Sequence, residues 1–427
     1  MTGMKKSKPL TTGWDLSATK DIPQAWLGYR CVGCSREFPP EGTPTTCPDC
    51  GDNLDAVYDL PYLKRHVSRD RVAVQPFRHH WRYAPLLPVS PPPDPVLAVG
   101  ATPLIAAPRL ATALGLSHLW LKDDSRQPSG SLKDRASDLA LRHAHITGHH
   151  HLIAASTGNA AASLACLGAA AGKQVTILAP ATAPRAKQVQ ILIYGARLIP
   201  VKGSYDTAFD LSLALSRRQH LYCRNTGINP VLTEGKKTVA LEIGEQLAWR
   251  VPDVVAVPVG DGCILGAVYK GFQEARDLGW VDRVPRLLAV QAAGSDAVVS
   301  SWEQDHPVEV QARTVADSIA VNRPRDLTKA LRAIRASEGR ALRVTDADIL
   351  EAQQLCARTT GLFGEPAAVT ALAGCRQARQ LGWIGPDDRV VCLFTGTGLK
   401  DIPAAEQQLS WPRAVPPDLD TLLRDGP

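Results

Sequence analysis

Ser129-Gly130-Ser131-Leu132-Lys133-Asp134-Arg135 closes a loop and opens a helical pattern over 134–147. A short apolar run, 152–155, follows and leads straight into Ser156-Thr157-Gly158-Asn159. A lysine at a loop-to-helix junction is shielded from water by the fold around it. Burial lowers an amine's pKa because the charged form loses its hydration, and such an amine can hold a carbonyl compound as a Schiff base. A strand ending in hydroxyls, a glycine and an amide offers donors to a carboxylate or a phenolic oxygen.

Working outward, apolar β-type runs at 118–122, 152–155, 175–179, 254–259, 287–291 and 390–394 alternate with helical patterns at 160–172, 208–217, 236–248 and 349–358. In the third helix Val239, Ala240, Ile243, Leu247 and Ala248 recur at helical spacing. This alternation predicts an α/β architecture with mostly parallel sheets, and ligands of such sheets gather at strand carboxyl ends. Three loops qualify: 156–159, Gly260-Asp261-Gly262-Cys263-Ile264-Leu265-Gly266, and Thr395-Gly396-Thr397-Gly398. In the middle loop, glycines and a helix N-terminus let backbone N–H groups converge on a phosphate. Alone it also suits a dinucleotide turn, although its spacing is GxGxxxG, or a plain strand-to-helix turn. Its late position argues against an N-terminal dinucleotide half. With Lys133 upstream, the set points to pyridoxal phosphate.

At 427 residues, 44% hydrophobic and 21% charged, the chain suits one large two-lobed unit, or two ordinary domains with an appendage, and a proper core. No run of about eighteen apolar residues suggests a membrane span, and no apolar signal core follows the basic N-terminus. A cytoplasmic protein is expected. The net charge of +6 is small and dispersed, which argues against a nucleic-acid partner.

Four of the ten cysteines are paired as Cys31-Val-Gly-Cys34 and Cys47-Pro-Asp-Cys50. Two such pairs close a tetrahedron around zinc, and Gly33 and Gly51 permit the tight backbone. No nearby His, Asp or Glu suggests an open catalytic position, so a structural zinc ribbon over 25–60 is expected. A tail (1–24) precedes it. A His-, Arg- and Pro-rich linker (61–97) follows, then the catalytic domain (98–410) with a smaller mobile lobe near 137–222, and a surface tail (411–427). The remaining cysteines read as reduced core thiols. His149-His150-His151 reads as a surface turn, and Arg323-Pro-Arg325 as a solvated loop.

In this order the segments resemble the threonine synthase family of fold-type II pyridoxal phosphate enzymes. SGSLKDR is similar to the family's PTGSFKDR, STGNAAAS to STGNTSAS, VPVGDGCI to VPVGNGGN and TGTGLKD to TGHGLKD. NTGINPVLTEGKKT (225–238) resembles NSVNPxRxEGQKT, and Glu365-Pro366-Ala367 matches a further segment. The resemblance covers roughly residues 98–402 and implies two open, twisted α/β lobes like the tryptophan synthase β chain. It implies that Lys133 carries the cofactor as a Schiff base and shuttles protons. Asn159 would bond the phenolic oxygen, Gly260, Asp261, Gly262, Cys263 and Ile264 the phosphate, and Thr395 the pyridine nitrogen. Ser156, Thr157, Asn225 and Thr226 would bind an amino-acid substrate, though Ser156 and Thr157 also suit a helix cap. The implied reaction converts O-phosphohomoserine and water to threonine and phosphate, in an enzyme expected to be a homodimer.

Departures fall on the substrate side. Ala160 replaces a threonine, Leu232 the arginine of NPxR, Thr397 a histidine, Cys263-Ile264 a Gly-Gly pair, and Leu132 a phenylalanine. Leucine cannot give a phosphate the bidentate partner that arginine does. Arg224, Lys236 and Lys237 are the cations left to supply the charge. The departures leave a second reading open: β-elimination or β-replacement on serine, threonine or their phosphates, as in threonine dehydratase-like or cysteate synthase-like enzymes.

Overall fold

Every apolar run read from the sequence is a strand, with ends within one residue of those expected. The computed structural model describes residues 25–75, 79–93, 96–156, 158–183 and 185–425; the expected 1–24 tail lies outside them. The strands are β1 (Trp26–Cys31), β2 (Glu37–Phe38), β3 (Leu54–Tyr58), β4 (Leu104–Ala106), β5 (His118–Asp123), β6 (His151–Ala155), β7 (Gln174–Pro180), β8 (Arg197–Val201), β9 (Tyr222–Cys223), β10 (Val254–Pro258), β11 (Arg286–Ala292), β12 (Arg340–Val344) and β13 (Arg389–Phe394). The helices that frame the site are α1 (Lys133–Ile146), α2 (Asn159–Ala170), α3 (Val231–Gln246), α4 (Cys263–Asp277), α5 (Leu327–Ala336) and α6 (Pro366–Gln380).

The larger sheet has the order β12-β11-β10-β13-β5-β4, all parallel except the β4–β5 pair. The smaller, β8-β7-β6-β9, is wholly parallel. Every residue of β10 is buried, and apolar clusters cover both faces of its sheet, which is why central parallel strands read as continuous apolar runs. In the two larger sheets the strands missed from the sequence, β4, β8, β9 and β12, all lie at edges. β8 and β12 carry Arg197, Arg340 and Arg343, as half-exposed edges tolerate.

The segment expected as a linker packs onto the body. It holds helices Leu60–His66, Arg69–Ala73 and His80–Leu86, and buries Trp81, Tyr83, Leu86 and Leu87. His80 Nε2 and Trp81 Nε1 both reach Asp138 of α1, at 2.7 and 2.8 Å. Proline and charge near this stretch masked anchors that are aromatic and widely spaced. Near the C-terminus residues 411–420 are exposed, and a helix, Leu419–Asp425, follows. Among the described residues no helix is long and apolar enough to cross a membrane.

The N-terminal sheet, β2-β1-β3, is antiparallel and sits on the larger lobe through a shared apolar cluster that includes Tyr29, Leu54, Leu241 and Ala275.

Candidate active site

Asp134 and Arg135 anchor Lys133. The Asp134 carboxylate accepts from the Ser129 N–H, at 2.6 Å, and from its hydroxyl, folding the loop back on the helix start. The fully buried Arg135 guanidinium pairs with Asp124 and Glu242 at 2.7 Å each, tying α1 to α3. The loop also pairs with the last glycine-rich segment: Leu132 N–H donates to Thr395 O (2.9 Å), Thr397 N–H to Gly130 O (3.1 Å), and Ser131 bridges Gly396. Two motifs far apart in sequence therefore form one floor.

Above that floor, between the lobes, lies a cavity of about 190 Å³. Lys133, Ser156, Asn159, Thr226 and the run Gly260, Asp261, Gly262, Cys263 and Ile264 all line it. Lys133 opens α1 and is only partly exposed; burial is the main force lowering its pKa, and the nearby Arg224 cation adds to it. Burial raises the Asp261 carboxyl and the Cys263 thiol. The N-caps of α2 and α4 are Gly158 and Gly262, which bring no side-chain cap, so both helices present N–H groups at the cavity. Ser156 Oγ accepts from Gly158 N–H at 3.2 Å instead of capping deeper in α2.

Gly262 has φ +92°, and a Cβ there would lie 2.6 Å from the Ala330 Cβ. A side chain is thus excluded where the backbone must approach a ligand. An uncapped helix start on a glycine cradle, facing a buried amine, fits a phosphorylated carbonyl compound such as pyridoxal phosphate.

Other expected residues sit differently. Asn225 is fully buried, and its amide accepts from Ala155 N–H and donates to Ser212 Oγ, 2.7 Å each. It fixes the end of β6 from behind the cavity. Thr395 is buried beside the cavity lining, and Thr157 lies outside the described residues. The expected solvated loop is partly enclosed: Arg325 pairs with Asp206, and its N–H donates to Asp261 at 3.1 Å.

Glu365 was missed as a site residue. It is buried and accepts from Asn159 Nδ2 (2.5 Å) and Ser318 Oγ (3.1 Å), fixing the amide that faces the cavity. Asp317, Ser318 and Tyr205 also line the cavity. Lys187 of the smaller lobe pairs with Asp317 of the larger, and Lys400 Nζ is buried without a hydrogen-bond partner.

Of the three cations expected to replace the lost arginine, Lys237 is committed elsewhere. It pairs with Glu234 and Glu274 at 2.5 and 2.7 Å. Arg224, fully buried, bonds only neutral oxygens, including Ser137 Oγ (3.1 Å) and Thr226 Oγ1 (3.3 Å), and burial pulls its pKa down to about 10. Lys236 is 1% exposed. Burial lowers it from 10.5 to about 8, with Lys133 and Arg224 as like-charged neighbours. Among the described residues neither Arg224 nor Lys236 has a carboxylate within ion-pair distance. Leu232 is packed among Val99, Ala140 and Tyr222 in the smaller lobe's core.

In the N-terminal sheet the four cysteine sulfurs lie within 4.8 Å of one another, with Cys31–Cys50 at 3.4 Å and Cys34–Cys47 at 3.7 Å. A tetrahedral site with zinc–sulfur bonds of about 2.3 Å separates its sulfurs by about 3.8 Å. The cluster therefore has the dimensions of a zinc site.

The profile of the family described as pyridoxal-phosphate dependent enzymes matches residues 96–396. The chain is 37% identical over 400 residues to threonine synthase of Methanocaldococcus jannaschii, covering 92% of this chain and 98% of that one. It is 36% identical over 397 residues to threonine synthase of Methanosarcina acetivorans, covering 92% and 97%. Both matches reach into the cysteine-bearing sheet, since 92% coverage of 427 residues leaves only about 35 unmatched. Among solved structures, a fungal L-serine ammonia-lyase from Rhizomucor miehei superposes with a TM-score of 0.63 at 24% identity, covering 72% of this chain and 96% of that one.

Proposed function

Because the chain belongs to the pyridoxal-phosphate dependent enzyme family, we propose that it is a threonine synthase-like lyase converting O-phosphohomoserine and water to threonine and phosphate. The observation that carries this reading is the near full-length match to threonine synthases, in a chain whose half-buried Lys133 faces an uncapped glycine cradle.

Lys133 would hold the cofactor covalently. The N–H groups of 260–264 would hold its phosphate, Asn159, oriented by Glu365, its phenolic oxygen, and Thr395 its pyridine nitrogen. Bound there, the cofactor would supply an electron sink for the charge left when carbon-bound protons depart, and Lys133, once displaced by the substrate amine, would be free to act as a base. The released Lys133 amine, lowered by burial, has a neutral form that removes protons at the α and then the β carbon. Ser156, with Thr157 and the α2 N-terminus, holds the substrate carboxylate. Thr226, backed by Arg224, and Lys236 hold the phosphate that leaves the γ carbon before water adds at the β carbon. Thr395 offers a neutral hydroxyl, which does not keep the pyridine nitrogen protonated as a carboxylate would. The Lys187–Asp317 pair joins the lobes at the cavity wall, a contact suited to shutting out bulk water.

In the N-terminal sheet, Cys31, Cys34, Cys47 and Cys50 would hold a structural zinc ion. A homodimer is the assembly implied by the resemblance, and light scattering checks it. The test of function is incubation of the cofactor-loaded enzyme with O-phosphohomoserine: threonine and phosphate should form in equal amounts. Keto-acid release from serine or threonine, with no phosphate from phosphohomoserine, would favour the elimination reading instead.

A further inference from the structure

Asn53 stands between the cysteine cluster and the cavity. Its backbone and that of the preceding residue are tied to the knuckles: Val32 N–H donates to Asn53 O (3.0 Å), and Cys47 N–H to Asp52 O (2.8 Å). Its buried side chain points the other way. Nδ2 donates to Gly227 O and to Arg325 O, the second at 3.1 Å. Gly227 follows the cavity residue Thr226, and the N–H groups of Arg325 and Asp326 donate to Asp261 of the phosphate cradle at 3.1 and 3.0 Å. One amide thus holds two loops that bound the site.

β3 continues the contact. Leu54 O and the Asp55 carboxylate both take Lys329 Nζ, at 2.8 Å each, and Asp55 also pairs with Arg332 at 2.6 Å. Both cations lie on α5, the helix whose Ala330 and Lys329 back Gly262 and Gly266. Ala56 O accepts from Lys270 of α4 at 2.6 Å, and Tyr58 OH donates to Glu234 of α3 at 2.7 Å. α4 is the cradle helix itself, and α5 backs its glycines.

We propose that the cysteine-held sheet is a positioning element of the active site. Through Asn53 and β3 it fixes the cradle 260–264 and the loop at 226–227, so loss of its metal or of the Asn53 amide weakens cofactor binding. The proposal rests on the reading that this cradle holds pyridoxal phosphate. A fold-stabilising sheet would need only the apolar contacts of Tyr29 and Leu54. Instead, its polar contacts with Gly227, Arg325, Lys270 and the α5 cations fall on the loops that bound the cavity, on the cradle helix and on the helix behind it.

The test compares full-length parent, Asn53→Ala, Asn53→Gln and Glu37→Ala for pyridoxal phosphate affinity by equilibrium dialysis. The visible circular dichroism of the bound cofactor and the zinc content are recorded alongside. Loss of two hydrogen bonds predicts a Kd raised about tenfold in Asn53→Ala, with zinc retained and a changed visible band. Asn53→Gln, which keeps a donor, should recover part of the affinity. Glu37→Ala, which breaks only the exposed Arg30–Glu37 pair, should match the parent. Parent protein stripped of zinc by a chelator should lose affinity in the same direction. Unchanged Kd and visible dichroism in both Asn53→Ala and the stripped parent overturn the proposal. A parent that binds no cofactor refutes the underlying reading instead.

Discussion

Replacing Lys236 with glutamine should make the protein more stable and a poorer enzyme. Burial holds this amine from 10.5 down to about 8. A base with a depressed folded pKa destabilises the fold wherever it is charged in both states, which here is below about pH 8. At about 1.4 kcal/mol per pH unit, relief of that burden gives up to about 3 kcal/mol at pH 7. Function moves the other way. A charge-assisted hydrogen bond to phosphate contributes about 1.5–3 kcal/mol, so kcat/KM for O-phosphohomoserine should fall about 10- to 100-fold. The pH profile gives a second sign. The substrate phosphate takes its second charge near pH 6, and Lys236 loses its own as pH rises through about 8. Affinity in the parent should therefore peak between them, and Lys236→Gln should lack the alkaline fall. Steady-state kinetics with O-phosphohomoserine and inhibition by inorganic phosphate, both across pH, with denaturant unfolding of both proteins, measure all of this. A variant with unchanged phosphate inhibition and an unchanged alkaline limb would refute the reasoning.

Arg135→Met would leave Asp124 buried without its cation and Glu242 with Lys122 alone; the expected loss is about 3–5 kcal/mol by chemical denaturation. His143 is buried and held near 4, so between pH 6.5 and 4 the unfolded chain takes up a proton that the folded chain refuses. Stability should fall with falling pH over that window by about 3 kcal/mol, and His143→Gln should flatten the loss. Glu365→Gln should free Asn159 from its charged partner and raise the Kd for pyridoxal phosphate about tenfold, as equilibrium dialysis would show.

Local chemistry explains what the sequence revealed. Lys133 and the 260–266 loop were legible because a buried amine at a helix start and a glycine cradle are each written in consecutive residues. The central strands were legible because burial on both faces leaves mostly apolar side chains. Glu365 was not, because its meaning comes from Asn159, 206 residues away. Asn225 misled for a related reason: its amide is already taken by Ala155 and Ser212, which only the folded chain brings together. Residues 61–97 look like a spacer by composition, yet Trp81 and Tyr83 anchor them in the body. Leu232 marks a lost arginine, but the sequence could not say that core packing holds it among Ala140 and Tyr222.

Borohydride reduction of the cofactor-loaded protein, followed by peptide mapping, bears most directly on the role given to the buried amine that opens α1. A pyridoxyl group on Lys133, and none in Lys133→Ala, is the predicted result. A label on another lysine, or on none, would contradict it.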